Sequence, residues 1–268
     1  MFLKLNGFDL HFETSGREDG PWVTMSHALA NNLTLWDEVA EALGENFRIL
    51  RYDQRGHGQS GAPPGPYTFD ELVDDVIALW DEVGIRRSHW IGLSIGGMIG
   101  YGLAIHHPQR LLSLVACDSQ ADAPPDYAAY FQSRIDKAAA GGMEALVQPT
   151  LERWFTPPTI ERGDPVLDRV AAMIRGTDAV GHAGCCEALK RLSYGDQLGK
   201  ITVPTLVLGG EGDKGAPPSA LAHVASRIPG ARHAVIPAAG HISALENPGA
   251  FLSTVTAFLE DKRAPLGA

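Results

Sequence analysis

The sequence contains few cysteines and no pattern typical of a metal site. Its three cysteines, Cys117, Cys185 and Cys186, are an odd number, and adjacent cysteines rarely pair with each other. No CxxC spacing and no Cys/His cluster indicates zinc. We therefore expect neither a structural metal ion nor a redox function.

Basic residues and long apolar runs are also scarce. The 268 residues include 22 Lys and Arg against 32 Asp and Glu, a formal net charge of −10. Because binding to a phosphate backbone requires a basic face, we expect no nucleic-acid partner. No apolar run approaches the roughly 20 residues of a membrane span, and the first residues lack an apolar core of signal-peptide length. We expect a cytoplasmic protein without a membrane partner.

Strand and helix signals alternate at both ends of the chain. An Asn-Gly pair, Asn6-Gly7, separates two strand-like runs and predicts a hairpin. Strands are predicted over residues 2–5, 8–13, 22–26, 47–52, 89–93, 111–117, 203–208 and 232–236, and helices over 33–43, 69–83, 95–107, 220–227 and 248–259. This alternation predicts an α/β fold with a mostly parallel central sheet, covered by helices on both faces, and the opening hairpin makes the sheet mixed.

The middle of the chain lacks strand signals. Helices are predicted over residues 128–139, 142–154, 165–174 and 180–192, separated by Pro and Gly. We expect an all-helical cap over residues 121–199, inserted after the sixth strand of a core that comprises residues 1–120 and 200–268. The pair Trp154-Phe155 fits equally well the core of a small bundle or an apolar wall over a pocket.

The pentapeptide Gly92-Leu93-Ser94-Ile95-Gly96 carries the clearest chemical signal. It fits the G-x-S-x-G nucleophile elbow, in which glycines permit the sharp strand-to-helix turn that exposes the serine. A Gly-rich helix start packed against the sheet is the competing explanation, but a predicted strand precedes the motif and a predicted helix follows it. Ser94 is therefore the predicted nucleophile of a hydrolase on the α/β-hydrolase scaffold.

A catalytic serine needs a base and a third group that orients the base. His241 follows the last predicted strand, and Asp213 follows the strand predicted over 203–208. The resulting chain order of serine, acid and histidine is the order that this scaffold uses. Two other acids stay open for the third role: Glu211, two residues before Asp213, and Asp118 at the end of the sixth strand.

Two backbone N–H groups are needed to stabilise the oxyanion. Ile95, directly after the nucleophile, is predicted to supply one, and Leu29, in the loop after the strand over 22–26, to supply the other. A serine nucleophile favours acyl transfer to water, whereas dehalogenases and epoxide hydrolases on this scaffold need a carboxylate. No dinucleotide-binding or phosphate-binding glycine loop is present, so no cofactor is implied.

Six segments together carry a family resemblance. They are residues 51–60 (RYDQRGHGQS), 65–68 (GPYT), 92–98 (GLSIGGM), 153–156 (RWFT), 186–188 (CEA) and 240–243 (GHIS). Across nearly the whole chain, the sequence resembles the 3-oxoadipate enol-lactonases. The elbow and the Arg-Gly-His-Gly loop are shared by many α/β-hydrolases, whereas the GPYT, RWFT and CEA segments are more specific.

The resemblance implies ring opening of a small enol-lactone in aromatic catabolism, with Ser94 attacking the carbonyl, His241 as base and Asp213 orienting it. A family substrate carries a carboxylate that a cation should meet. The predicted pocket residues are the cap cations Arg134, Arg153, Lys190 and Arg191, each of which could equally be a solvated helix charge, together with His27 and Trp154.

Three other functions stay open. Residues 26–32 (SHALANN) and 210–217 (GEGDKGAP) depart from the family pattern. These departures motivate a second hypothesis, a carboxylesterase or lactonase with a different substrate. The same triad could hydrolyse a carbon–carbon bond, and hormone receptors of this fold bind a ligand with little chemistry. We expect a small-molecule lactone or ester as the partner and leave a homodimer open.

Overall fold

Eight strands form one sheet in the computed structural model, which describes residues 1–5 and 7–261. The strands are β1 (Phe2–Leu5), β2 (Phe8–Gly16), β3 (Trp22–Ser26), β4 (Arg48–Tyr52), β5 (Ser88–Leu93), β6 (Leu111–Cys117), β7 (Thr205–Gly210) and β8 (Arg232–Ile236). They lie in the order β1-β2-β4-β3-β5-β6-β7-β8. The pairings of β1 with β2 and of β2 with β4 are antiparallel, and the others are parallel. The predicted mixed, mostly parallel sheet is confirmed.

The described residues also contain eleven α-helices. They are α1 (Asp37–Gly44), α2 (Phe69–Val83), α3 (Ile95–His106), α4 (Tyr127–Gly141), α5 (Val147–Trp154), α6 (Pro157–Glu161), α7 (Pro165–Arg175), α8 (Ala179–Leu189), α9 (Pro218–Arg227), α10 (Ser243–Glu246) and α11 (Pro248–Asp261). Short 3-10 segments occur at Leu33–Trp36, Pro108–Arg110, Met143–Leu146 and Gly195–Lys200. None of the described helices combines the length and apolar character needed to cross a membrane.

Helix α2 shows how local sequence sets an element. It begins at a capping box, in which the Thr68 side chain accepts from the Glu71 N–H and the Glu71 carboxylate accepts from the Thr68 N–H. It ends at Gly84, whose φ of 80° is a left-handed conformation that glycine adopts without steric cost. Its apolar residues, spaced by three and four, bury one face against the core.

The helices α4 to α8 follow β6 and precede β7, so the predicted all-helical insertion after the sixth strand is confirmed. One contact between this insertion and the core joins two backbones directly. A Cβ on Gly56, whose φ is 73°, would lie 2.2 Å from the Cα of Gly181 in α8. Glycine is therefore required on both sides of this contact, which holds α8 against the loop after β4.

Two predicted boundaries shift for local reasons. The first turn of the predicted 33–43 helix is a 3-10 segment, in which the Asn32 side chain caps the Thr34 N–H. Strand β7 begins at Thr205 because Pro204 has no N–H to donate to a ladder; its carbonyl accepts from the Leu114 N–H at 2.9 Å. Asn6 of the predicted hairpin turn lies outside the described residues.

Candidate active site

Ser94 occupies the sharp turn between β5 and α3. Its φ of 55° and ψ of −119° lie in a region that is costly for a residue with a side chain. Glycines allow the close packing around it: a Cβ on Gly92 would lie 2.1 Å from the Gly96 carbonyl oxygen, and a Cβ on Gly96 would lie 2.3 Å from that of Ser26. The turn therefore presents Ser94 at the carboxyl edge of the parallel strands, where ligands of open α/β sheets bind.

His241 and Asp213 meet at the same edge, in the loops after β8 and β7. The His241 Nδ1 lies 2.8 Å from the Asp213 Oδ2. Because an ionised carboxylate only accepts hydrogen bonds, Nδ1 carries the proton and Nε2 is left as the basic nitrogen. The other Asp213 oxygen accepts from the Gly215 N–H at 2.7 Å, which fixes the orientation of the carboxylate. Both side chains are buried.

The pair is electrostatically matched. Burial alone would lower the pKa of His241, but the charge and hydrogen bond of Asp213 outweigh it and raise this pKa. Burial would likewise raise the pKa of Asp213, but His241 and the N–H groups of Ala216 and Gly215 outweigh it and lower this pKa. An imidazolium that forms at His241 is therefore stabilised by an ionised Asp213.

Ser94 and His241 line one narrow cavity beneath the helical insertion. It contains about 460 Å³ of space between protein atoms, part of it open to solvent. Trp154 of α5 forms part of the wall, with its indole centroid 5.7 Å from that of the His241 ring. The remaining lining residues are Leu29, Met98, Tyr127, Tyr130, Phe131, Arg134, Arg153, Leu189 and Gly215. The cavity is thus mostly aromatic and apolar, with two arginines.

The backbone N–H groups of Leu29 and Ile95 are the predicted oxyanion donors. Among the residues that the structure describes, no acceptor is bonded to either of them. The next residue, Ala30, has a φ of 58° and donates its N–H to the His57 Nε2 at 3.0 Å. The His57 Nδ1 in turn lies 3.0 Å from the Arg55 carbonyl oxygen. His57 therefore fixes the backbone of the loop that carries the Leu29 N–H.

His27 lies behind this loop and is not among the residues that line the cavity. Its Nε2 accepts from the Gln54 N–H at 3.0 Å, and its Nδ1 lies 2.7 Å from the Ala28 carbonyl oxygen. Burial lowers the pKa of His27 and, together with the neighbouring His27 charge, that of His57 to about 3. Both rings are neutral at physiological pH, and each accepts a hydrogen bond from a backbone N–H of a neighbouring loop.

Arg134 of α4 is a buried cation beside the cavity, 5% exposed. Its Nη1 donates to the Thr150 hydroxyl at 3.0 Å and lies 3.4 Å from the Tyr130 hydroxyl, while its Nε and Nη2 have no oxygen or nitrogen acceptor. The nearby Cys186 thiol is a weak acceptor, and burial raises its pKa to about 12, so it carries no charge. No carboxylate pairs with Arg134 in the described part of the chain. The free Nε and Nη2 form the side of a guanidinium that binds a carboxylate through two parallel hydrogen bonds.

The other predicted cations differ in position. Arg153 lines the cavity, with its guanidinium carbon 4.6 Å from the Tyr130 ring centroid. Lys190 does not line it and pairs with Glu187 at 2.7 Å. Arg191 also pairs with Glu187, is 59% exposed, and lies outside the cavity. The structure thus brings two of the four candidate arginines and lysines to the cavity.

The two alternative acids are placed differently from Asp213. Glu211 is exposed, and its carboxylate accepts from the Ala238 N–H at 3.3 Å. Asp118 is fully buried at the end of β6, where Ser243 donates its hydroxyl at 2.6 Å and Gly210 its N–H at 2.8 Å. In the residues that are described, Asp213 is the acid bonded to His241.

Asp118, Asp213 and His241 also form a group that could hold a metal ion, with one ligand atom from each within 4.8 Å of the others. These atoms are engaged in hydrogen bonds: His241 with Asp213, and Asp118 with Ser243 and Gly210. We therefore interpret the group as a hydrogen-bonded network.

Several lining residues were not predicted. Tyr127, Tyr130 and Phe131 come from α4, whose aromatic residues gave a signal, but only the packing of the insertion on the core decides which face meets the cavity. Met98, one turn into α3, follows directly from the elbow geometry and could have been found.

Comparison with known proteins agrees with this architecture. The family model described as the alpha/beta hydrolase fold matches residues 21–248. The chain is 33% identical over 253 residues to 3-oxoadipate enol-lactonase 2 of Acinetobacter baylyi, covering 94% of this chain and 93% of that protein.

Two solved structures are also similar. The enol-lactonase from Burkholderia xenovorans LB400 is 37% identical, with a TM-score of 0.93, covering 97% of this chain and 100% of that one. A thermophilic esterase from Thermogutta terrifontis, solved with malate bound, is 27% identical, with a TM-score of 0.91, covering 96% and 95%. The fold, the family match and the extent of these similarities lead to one conclusion: the chain belongs to the α/β-hydrolase family.

Proposed function

We propose that this protein is a serine hydrolase that opens a small lactone, and that Ser94, His241 and Asp213 are its catalytic triad. The observation that carries the proposal is that Ser94 and the hydrogen-bonded pair His241–Asp213 meet at one cavity. Ser94 stands on a strained turn, and His241, bonded to Asp213 at 2.8 Å, lines the same space. A nucleophile, a base and an orienting acid together are the requirement for covalent acyl transfer.

In the first half of the reaction, His241 Nε2 takes the proton of the Ser94 hydroxyl as Oγ attacks the lactone carbonyl carbon. The oxyanion accepts hydrogen bonds from the Leu29 and Ile95 N–H groups, which no protein acceptor occupies in the described residues. Collapse breaks the ring C–O bond, and His241 gives its proton to the departing oxygen. The product is an acyl-enzyme on Ser94.

In the second half, His241 deprotonates a water molecule that attacks the acyl carbon. As the second tetrahedral intermediate collapses, the bond between the acyl carbon and the Ser94 Oγ breaks, His241 returns its proton to that oxygen, and the ring-opened acid is released. In both halves Asp213 holds the imidazole through its Nδ1, which leaves Nε2 for proton transfer.

We assign residues 121–199 to a cap that closes the cavity. Trp154 covers His241, and its carbonyl accepts from the His241 backbone N–H at 2.7 Å. The Lys214 ammonium donates to the Glu152 carbonyl oxygen at 3.0 Å, which joins the acid loop to the same helix. Excluding water at this edge strengthens the electrostatic interactions of the triad.

The substrate class follows from Arg134. A buried guanidinium without a counter-ion is costly, and an anionic ligand group in the cavity would remove that cost. We therefore propose a lactone that carries a carboxylate, with 3-oxoadipate enol-lactone as the leading candidate. The two enol-lactonase relatives and the malate bound to the esterase relative support an anionic substrate. This activity would belong to aromatic catabolism.

A substrate panel on the purified protein tests the proposal. It compares 3-oxoadipate enol-lactone, an uncharged lactone of the same ring size and a neutral aryl acetate. We expect the highest kcat/KM for the charged enol-lactone and no turnover of any of the three by Ser94→Ala. Equal kcat/KM for the charged and uncharged lactones would contradict the substrate assignment, and turnover by Ser94→Ala would contradict the mechanism.

A carboxylesterase is the second candidate. Its supporting observation is the esterase relative, which is similar over 96% of the chain. The same triad would serve, so the panel separates the two: a preference for the aryl acetate over both lactones favours the esterase.

A further inference from the structure

We propose that Asp118 is a second positioning acid for His241, which holds the histidine loop through Ser243 and supplies the orienting carboxylate when that of Asp213 is removed. This inference rests on the proposed triad. It assigns a role to a buried acid that the mechanism above does not use.

The first observation is the position of Asp118. It follows β6, one strand from β7, and its φ is 51°, a strained conformation for a residue with a side chain. The carboxyl group is fully buried. Within the three-residue group, one oxygen of Asp118 lies within 4.8 Å of both an Asp213 oxygen and a ring nitrogen of His241. No hydrogen bond joins Asp118 to His241 in the described residues, so the proposal requires the Asp118 carboxyl group to shift towards the ring when Asp213 is replaced.

The second observation is the set of bonds that Asp118 makes. Its Oδ2 accepts from the hydroxyl of Ser243, two residues after His241, at 2.6 Å. Its Oδ1 accepts from the N–H of Gly210 at 2.8 Å, at the end of the strand that leads to Asp213. One carboxyl group therefore ties the histidine loop to the acid loop. An apolar residue at position 118 would leave two buried donors unsatisfied.

The electrostatics agree with a reserve role for Asp118, in which its carboxyl group orients His241 only when that of Asp213 is absent. Burial and the neighbouring Asp213 charge hold the pKa of Asp118 well above its usual range, so Asp213 takes the negative charge of the pair. The charge of Asp118, when present, raises the pKa of His241, whereas Arg153 lowers it. Loss of Asp213 removes the repulsive part of this pKa shift, while burial, its larger cause, stays and the charge of a protonated His241 continues to lower the pKa of Asp118.

Two other titratable groups face this cluster. The Cys117 thiol precedes Asp118, and burial raises its pKa, so it stays neutral. Tyr127 of α4 is acted on by Asp213, and burial raises its pKa to about 12. Neither group supplies a charge that could replace Asp118 near neutral pH.

The test is a double-mutant cycle of Asp118→Asn and Asp213→Asn. Asparagine keeps the shape of aspartate and can still bond Gly210 and Ser243, so the cycle isolates the carboxylate. In a triad without a reserve acid, replacing the acid by Asn lowers kcat by about 10⁴-fold. We expect Asp213→Asn to lose only about 10²-fold, and the double variant to lose at least tenfold more than the product of the two single losses.

A pH profile separates positioning from a merely structural role. In the Asp213→Asn background, Asp118→Asn should move the acid limb of kcat/KM to lower pH, because it removes the negative charge that raises the pKa of His241. A structural role lowers activity equally at every pH. The matched control is Asp75→Asn. Asp75 is a buried acid on α2 that pairs with Arg55, and the loss of kcat in this variant should combine additively with that in Asp213→Asn.

Additive losses in the Asp118–Asp213 cycle, or a 10⁴-fold loss in Asp213→Asn alone, would overturn the inference. The second result needs no Asp118 variant and decides the case if Asp118→Asn does not fold. Failure of the proposed function gives a different result, since the wild-type protein would then show no hydrolysis that depends on Ser94.

Discussion

The Trp154 carbonyl oxygen accepts a hydrogen bond of 2.7 Å from the backbone N–H of His241, and the two rings lie 5.7 Å apart between centroids. The helical insertion therefore contacts the proposed base directly through both backbone and side chain. A Cβ on Gly240 would lie 2.3 Å from the same carbonyl oxygen, so glycine is required before the histidine. Movement of the insertion would be transmitted to the orientation of His241.

Glu246 reinforces this junction, and its replacement should loosen it. One carboxylate oxygen accepts from the Thr156 N–H and hydroxyl at 2.9 and 2.6 Å, and the other accepts from the Gly240 N–H at 2.6 Å. We expect Glu246→Ala to lower the free energy of unfolding by about 2 kcal/mol, since hydrogen bonds to a charged group are lost. It should also lower kcat several-fold.

Thermal unfolding and steady-state kinetics measure these two effects. Glu260→Ala, an exposed position on α11, is the control and should change neither. Unchanged melting and kcat in Glu246→Ala would mean that the carboxylate does not couple the insertion to the histidine loop.

Arg134→Met should separate charged from uncharged substrates. Because the lost guanidinium would pair with a substrate carboxylate in a desolvated site, kcat/KM for the charged enol-lactone should fall by about 100-fold. Turnover of a neutral aryl acetate should stay within about threefold, and stability should not fall, because a buried unpaired charge is removed.

Arg191→Met serves as the matched control, because Arg191 belongs to the same insertion but is exposed outside the cavity. It should leave both substrates unaffected. An equal loss on charged and neutral substrates in Arg134→Met would argue for a structural role of Arg134.

His57→Ala should impair the oxyanion loop. The Ala30 N–H loses its acceptor, so the neighbouring Leu29 N–H is no longer held in place. Removing one oxyanion donor costs about 10²–10³-fold in kcat, and a misplaced donor should cost somewhat less, about 10–100-fold, with little change in KM. His57→Gln keeps an acceptor oxygen and should recover most of this loss. Equal kcat for the Ala and Gln variants would refute the positioning role of the ring.

The pH dependence follows from the raised pKa of His241. A general base works deprotonated, so kcat/KM should fall as the pH decreases through this pKa. That fall should be centred above the pKa of a free histidine, which is about 6.5. The double variant Asp118→Asn with Asp213→Asn removes both charges that raise this pKa, so its acid limb should move to lower pH. A wild-type limb at or below the ordinary value would contradict the assignment of His241 and Asp213.

Local patterns made much of this arrangement predictable from the sequence. Ser94 stands in a five-residue motif whose glycines are demanded by contacts within the turn itself. His241 and Asp213 follow predicted strands, and parallel strands end at one edge of a sheet, so their meeting follows from topology. Their catalytic roles stay predictions for the experiments above.

The parts that depend on long-range packing could not be predicted. Arg134 and Arg191 both lie in the helical insertion with similar local sequence signals, yet one is buried and unpaired and the other is exposed and paired. His27 lies beside the predicted oxyanion loop, but its ring turns away to bond the Gln54 N–H of another loop. Only the packing of distant segments decides these orientations.

The most direct test of the central claim is to identify the nucleophile covalently. The purified protein is treated with a fluorophosphonate, which labels activated serines, and the modified peptide is located by mass spectrometry. We predict one adduct, on Ser94, that forms at a much lower rate in His241→Ala and is absent in Ser94→Ala. An adduct on another residue, or undiminished ester and lactone hydrolysis by Ser94→Ala, would contradict the account.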